Sequence, residues 1–241
     1  MRDNIKLSSR LMMSAGMVAH GSSVADIGCD HAHTCIYLVK EGISPFAVAM
    51  DVRKGPLAHA DANIKLYGYE DRITTRLSDG LDALNKGETD SVIIAGMGGT
   101  LTAMILKKGL EKARAAKELI LQPQSDIGMV RKFLRENGFV IIDEAMCKED
   151  GKFYNSMKAV PQEKAVDMEG DVSLQEVYDE FGEILLKEKD PVLKEYLFVM
   201  KQKTERVLKR IKSEGSDGSL EKKEFFLRYL KLIEKAMNPG F

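Results

Sequence analysis

Ala25-Asp26-Ile27-Gly28-Cys29-Asp30-His31-Ala32-His33 is the stretch that decides the fold. Its first residues finish a short apolar run over 24–27 with the composition of a buried strand, and Gly28 turns the chain into a helical pattern over 34–41. Strand, glycine turn and helix in succession form the opening unit of a doubly wound α/β domain, where ligands bind outside the carboxyl ends of the strands. The pattern repeats downstream. Apolar runs over 46–50, 73–75, 91–95 and 119–121 read as further strands, and helical stretches over 57–67, 101–110 and 127–136 lie among them. The first of these helices starts just after Pro56, and Asn137-Gly138 closes the last. Runs over 139–142 and 153–160 have no helix-length segment between them, so they predict an antiparallel pair at the end of a sheet of five parallel strands.

The same loop narrows the ligand. A dinucleotide fingerprint places two more glycines after Gly28 so that a diphosphate can approach the backbone. Asp30 and His33 stand there instead, and Asp30 would repel a diphosphate. A ligand without phosphate and with positive centres suits the loop, and S-adenosylmethionine, with its ammonium and sulfonium, is the expected cofactor. Asp51 after the second strand is placed to accept both ribose hydroxyls, and Asp79 in Leu77-Ser78-Asp79-Gly80 to accept from an adenine amino group. Gly96-Met97-Gly98-Gly99 follows the fourth strand. Taken singly, these residues are ordinary strand-end caps and turns. Four successive strand ends carrying acid or glycine mark one ligand edge.

These residues resemble the bacterial tRNA (adenine22-N1)-methyltransferases. The likeness rests on Ser9-Arg10-Leu11, Asp26-Ile27-Gly28 with Asp30-His31-Ala32, Asp51-Val52 with Gly55-Pro56-Leu57, Ser78-Asp79-Gly80-Leu81, Ile94-Ala95-Gly96-Met97-Gly98-Gly99, and Leu119-Ile120-Leu121-Gln122-Pro123. It covers roughly residues 5–160. The resemblance implies a Rossmann-like class I methyltransferase sheet, methylation of N1 of adenine 22 in tRNA, and cofactor contacts by Asp26, Gly28, Asp51, Val52, Asp79, Gly80 and Gly96, with Arg10 and His31 nearby. Cys29, His33 and Cys35 depart from the family's pattern, where Thr, an aromatic residue and Pro are expected.

A ring nitrogen has its own in-plane lone pair and needs access more than deprotonation, which agrees with the absence of an Asn/Asp-Pro-Pro-aromatic motif at residues 95–98. Because N1 lies on the pairing edge, the base must leave its pair before it reacts. No residue is assigned as general base; Asp30, His31 and Gln122 are named only as groups whose substitution would test for one. The Cys29 to Cys35 segment invites a zinc reading, but a turn into a helix scatters alternate side chains, so cysteine packing and loop histidines are expected and no metal. His20 and His59 read as ordinary surface or satisfied histidines.

The division is into a cofactor-binding domain over 1–160 and a helical, coiled-coil-like domain over 161–241. Residues 161–172 are polar and turn-like. Helical stretches over 174–189, 192–213 and 220–237 follow, with Asp190-Pro191 as a cap signal and a break over 215–219 that should fold the last two helices back on each other. Lys201, Lys203, Arg206, Lys209, Arg210 and Lys212 make a basic stretch that either tracks phosphates or is a solvated helix exterior.

With 241 residues, 44% hydrophobic and 30% charged, the chain is long enough for such a core, and no apolar run reaches the roughly 18–20 residues of a membrane span. Residues 1–10 lack a signal core, and three cysteines form no framework, so a cytoplasmic protein without disulfides is expected. The net charge of -1 decides nothing about partners, and no obligatory protein partner is evident. Two other functions fit the same residues: a methyltransferase of this fold acting on a small molecule or protein, and a non-catalytic RNA-binding module.

Overall fold

The computed structural model describes residues 5–162, 172–214 and 220–238. The chain falls into two compact units, Met1–Asp167 and Met168–Phe241.

The first unit is built on β1 (Val24–Ile27), β2 (Ala47–Asp51), β3 (Ile73–Leu77), β4 (Ser91–Met97), β5 (Glu118–Pro123), β6 (Phe139–Glu149) and β7 (Lys152–Pro161), in the order β3-β2-β1-β4-β5-β7-β6. The first five are parallel, and β7 runs antiparallel to both β5 and β6. The predicted parallel sheet with its terminal hairpin is therefore present. Strand order reverses between β1 and β4, the switch point at which a crevice opens in this class of fold.

Side chains alternate across the sheet and feed two cores. Val24, Ala47, Ala49, Ile93 and Ile120 pack with α1 (Ser9–Gly16), α2 (His33–Lys40) and α3 (Lys54–Tyr67) through Ala15, Ile36, Val39, Ala60 and Ile64. Ala25, Ile27, Val48, Ile94 and Leu121 pack on the other face with α4 (Gly99–Lys108), α5 (Leu110–Ala115) and α6 (Ile127–Glu136) through Leu106, Ala113, Val130 and Leu134. Both faces are covered, which explains why β1 and β5 are buried at every position rather than at alternate ones. Each of the Val, Leu and Ile side chains among them contributes about 1.5–3 kcal/mol by its burial.

Four elements differ from the sequence reading. Helix α1 was not expected, because its sequence has neither acidic first turn nor basic last turn and Ser8 makes no side-chain cap. Helix α3 begins at Lys54, so Pro56 lies inside its first turn, where its missing N–H costs no bond. The helix expected over 101–110 stops at Lys108 and resumes as α5, because Gly109 packs so closely on Leu81 that a β-carbon would lie 2.7 Å from it. Strand β6 runs seven residues past its predicted end, through a register shift between Ile141 and Asp143, as an edge strand with Ile142, Asp143 and Lys148 exposed to solvent.

A buried ion pair ties α6 to that edge. Arg131 Nε donates to Glu144 Oε1 at 2.8 Å, with both side chains almost fully buried.

The second unit holds α7 (Val172–Phe181), α8 (Glu183–Lys187), α9 (Pro191–Glu214) and α10 (Leu220–Met237). The stretch predicted over 174–189 breaks at Gly182, whose φ of +90° suits glycine. Asp190 Oδ1 accepts from the backbone N–H of Val192 and Leu193, both at 2.8 Å, and so starts α9 as its sequence predicts. Phe181, Leu193, Leu197 and Ile233 are buried, the Tyr196 and Tyr229 hydroxyls are 3.4 Å apart, and Lys201 pairs with Glu234 at 3.4 Å. The turn-like segment over 163–171 and the break over 215–219 lie outside the described residues. Among the described residues no helix is long and apolar enough to cross a membrane.

Candidate functional site

A cleft of about 470 Å³ opens over the carboxyl ends of β1 to β4. Its lining includes all nine residues singled out from the sequence: Arg10, Asp26, Gly28, His31, Asp51, Val52, Asp79, Gly80 and Gly96.

The floor is the turn after β1. Gly28 sits at φ +76° and its N–H donates to Met50 O at 2.7 Å, while Cys29 N–H donates to the same carbonyl at 3.0 Å. A β-carbon on Gly28 would run into the Met97 methyl group. Asp30 and Ala32 are also left-handed, at φ +50° and +57°. This strain is concentrated where the chain must double back over the strand end before α2 begins.

Asp26 is 5% exposed, and among the described residues only the Cys35 thiol hydrogen-bonds to its carboxylate, Sγ to Oδ2 being 3.8 Å. Burial pushes its carboxyl up to about 7; the Cys35 contact opposes the rise and the charge of Asp51 adds to it. Burial likewise raises the thiols of Cys29 and Cys35, which are packed, unreactive groups.

Asp51 is buried at the end of β2 and accepts from Arg53 N–H at 2.8 Å, which leaves its second oxygen for a ligand. Asp79 is exposed and paired to Lys108 Nζ at 2.8 Å, and the same ammonium reaches Asp82 at 2.6 Å. Lys112 Nζ donates to the carbonyls of Leu81 and Asp82, at 3.0 and 2.6 Å. Two lysines from α4 and α5 thus hold the loop that carries Asp79.

Gly96 lies at φ +80° in a bulge between Ala95 and Met97, with Arg10 and Gln124 beside it. Arg10 Nη1 donates to Gln122 Oε1 at 3.0 Å, and Gln122 Nε2 donates to Arg10 O at 2.6 Å and to Ser14 Oγ at 2.8 Å. Gln122, fully buried, therefore grips both ends of Arg10.

The loop histidines differ from expectation. His31 and His33 stack at 5.5 Å rather than scatter; His59 is on the surface as expected, with its ring tilted onto His31 at 5.2 Å. The left-handed turn at Ala32 sets the two rings side by side, a geometry that neither strand nor helix spacing describes. Burial, then the neighbouring His31, lowers the pKa of His33, so its ring is kept neutral. Among the described residues no three His, Cys, Asp or Glu side chains converge to hold a metal ion. Sequence reasoning missed Arg53 and the apolar wall of Met97, Leu101 and Ile105. The spacing of Leu101 and Ile105, one helical turn apart, was the available signal.

The family of a methyltransferase domain matches residues 7–157. The tRNA (adenine(22)-N(1))-methyltransferase of Bacillus subtilis is 33% identical over 240 residues, covering 99% of this chain and all of the relative. The crystal structure of the B. subtilis m1A22 tRNA methyltransferase TrmK superposes with a TM-score of 0.86 at 31% identity, over 98% of this chain and 100% of that one. A Streptococcus pneumoniae protein described as a putative tRNA (m1A22) methyltransferase, solved in complex with S-adenosyl-L-methionine, superposes with a TM-score of 0.80 at 31% identity, over 97% of this chain and 100% of that one.

Proposed function

Because the chain belongs to the tRNA (adenine(22)-N(1))-methyltransferase family, we propose that its cleft holds S-adenosylmethionine and delivers the methyl group to N1 of adenine 22 of a tRNA. The observation that carries this reading is the convergence of Asp26, Asp51 and Asp79, from three successive strand ends, on one cleft in a chain that aligns with its relative from end to end. The residues present fit that cofactor. A volume of about 470 Å³ suits a nucleoside-sized ligand, and acids line the end where positive groups belong. Asp30 stands where a diphosphate would have to lie.

In this reading Asp26 and the backbone of Gly28 face the methionyl end, Asp51 accepts from the ribose hydroxyls, and Asp79 accepts from the adenine amino group while Val52 covers the ring. Arg10 is the cation available for the methionyl carboxylate, His31 closes the rim, and Gly80 and Gly96 keep β-carbons out of the cleft. Bound there, S-adenosylmethionine supplies an electrophilic methyl group on a sulfonium. The protein's part is alignment and the exclusion of water, because transfer requires adenine N1, methyl carbon and sulfur in line. The lone pair of N1 needs no base to unmask it.

The helical unit is read as the part that helps hold the RNA, and the working compartment as the cytoplasm, where tRNA is modified. The test is label transfer from tritiated S-adenosylmethionine to unmodified tRNA, with adenine 22 or guanine at that position. Label only on the adenine substrate supports the reading. No label on either, with cofactor binding intact, refutes it.

A further inference from the structure

The three acids fix where the cofactor lies, over β1 to β3, so an acceptor must approach from the opposite side of β4, toward β5. That side has a wall of its own. Strand β7 pairs with β5 only through Met157–Ala159 against Leu119–Leu121, whereas the β6–β7 pairing continues to Glu149 and Lys152. Since β7 is antiparallel to β5 with Met157 opposite Leu121, and β5 ends at Pro123, residues before Asn155 run past the carboxyl end of β5 and stand above the ligand edge. Helix α1 is fastened along this arm: Ser9 N–H donates to Glu149 Oε1 at 2.6 Å, and the Ser14 and Ser156 hydroxyls are 2.8 Å apart.

Arg10 joins the wall to the cleft. Its guanidinium lines the cleft beside Gly96 and also lies over the Tyr154 ring at 5.7 Å. Tyr154 is half-buried, so part of its surface is accessible next to the place an acceptor must occupy. The tip carries Lys148 and Lys152, both exposed, with Phe153 under Lys148 at 5.4 Å. Two acids share the tip; Glu149 is taken up by Ser9, which leaves Asp150. An aromatic face flanked by cations is the chemistry that receives an unpaired base and its phosphates.

We propose that the wall made by α1 and the β6–β7 hairpin is the acceptor side of the cleft, with Tyr154 the surface on which the extruded adenine stacks. This rests on the function proposed above. Lys148 and Lys152 meet phosphates flanking the extruded nucleotide. Arg10, held by Gln122, keeps the Tyr154 ring upright against the cleft.

The experiment compares Tyr154→Ala and Tyr154→Phe in the full chain, measuring kcat/KM on tRNA and the affinity for S-adenosylhomocysteine. Loss of a stacked base predicts a fall in kcat/KM of about tenfold or more for Tyr154→Ala, with Tyr154→Phe near wild type. Affinity for S-adenosylhomocysteine stays unchanged in both. A tRNA carrying 2-aminopurine at position 22 adds a readout that a packing role would not move: its fluorescence, quenched in the free tRNA, stays quenched on binding wild type and Tyr154→Phe, where the extruded base moves from one stack to another, and brightens with Tyr154→Ala. The proposal is overturned if Tyr154→Ala keeps wild-type kcat/KM, if quenching persists, or if S-adenosylhomocysteine affinity falls in step. Failure of the functional reading looks different, since wild type itself would then leave adenine 22 unlabelled.

Discussion

Lowering the pH from 8 to 6 should weaken S-adenosylhomocysteine binding about tenfold, and Asp26 is the reason. Its carboxyl titrates near 7 because burial disfavours the charge and only a thiol offers partial support. A ligand bearing an ammonium group binds the ionised form. At pH 8 the site is almost all carboxylate and at pH 6 about nine-tenths protonated, which costs about 1.4 kcal/mol of apparent affinity. Calorimetric titration in two buffers of different ionisation enthalpy reads both the affinity and the proton released. Methylthioadenosine, which lacks the amino-acid group, serves as control and should show a much flatter profile. An affinity for S-adenosylhomocysteine that is level between pH 6 and 8, with no proton released, would refute the reasoning.

The same shift acts on the fold with a definite sign. The folded-state value, about 7, lies above the ordinary 3.8, so this group's contribution is fully present below about pH 4 and is lost as pH rises through 7. A shift of this size corresponds to about 4 kcal/mol by pH 8. Asp26→Asn should therefore raise the Tm of the ligand-free protein at pH 8, less so at pH 6, while removing the pH dependence of binding and most of the affinity.

Glu144→Ala takes the paired carboxylate away from the buried Arg131 guanidinium and should cost about 3–5 kcal/mol in denaturant unfolding, far more than loss of an exposed pair. Gly28→Ala puts a β-carbon at φ +76° against Met97; a stability loss of about 1–2 kcal/mol and a drop in cofactor affinity by calorimetry are expected. Lys203→Glu with Arg206→Glu, both exposed on α9, should weaken tRNA binding and flatten its salt dependence while leaving cofactor affinity intact; an unchanged salt slope would assign this stretch to solvent.

The strand ends were legible in the sequence because they depend on local pattern. The apolar runs of β1, β4 and β5 announce burial on both faces, and a glycine or acid at the ends of β1 to β4 marks the turn to the cleft. What was not legible depends on partners far along the chain. Helix α1 carries no capping signal and owes its place to β5, β6 and β7. The break between α4 and α5 exists because Leu81 fills the space beside Gly109. Asp26 could be recognised as a ligand-edge acid, but not as one titrating near neutrality, because that requires knowing that it is buried with the Cys35 thiol against its carboxylate and that Asp51 lies within electrostatic reach.

The bond between Arg10 and Gln122 also sets a schedule. Its partners are 112 residues apart, and Ser14 meets Ser156 across 142. Helix α1 leaves the ribosome ahead of the strands that receive it, which emerge on the order of ten seconds later at ordinary rates of synthesis. The cofactor side of the cleft can take shape on the growing chain, and the opposite wall is finished last. A chain stalled before β7 would display its first three strand-end acids with the dock for α1 incomplete, lacking Ser156, and pulse-labelled nascent chains should bind S-adenosylhomocysteine well before they become competent to methylate tRNA.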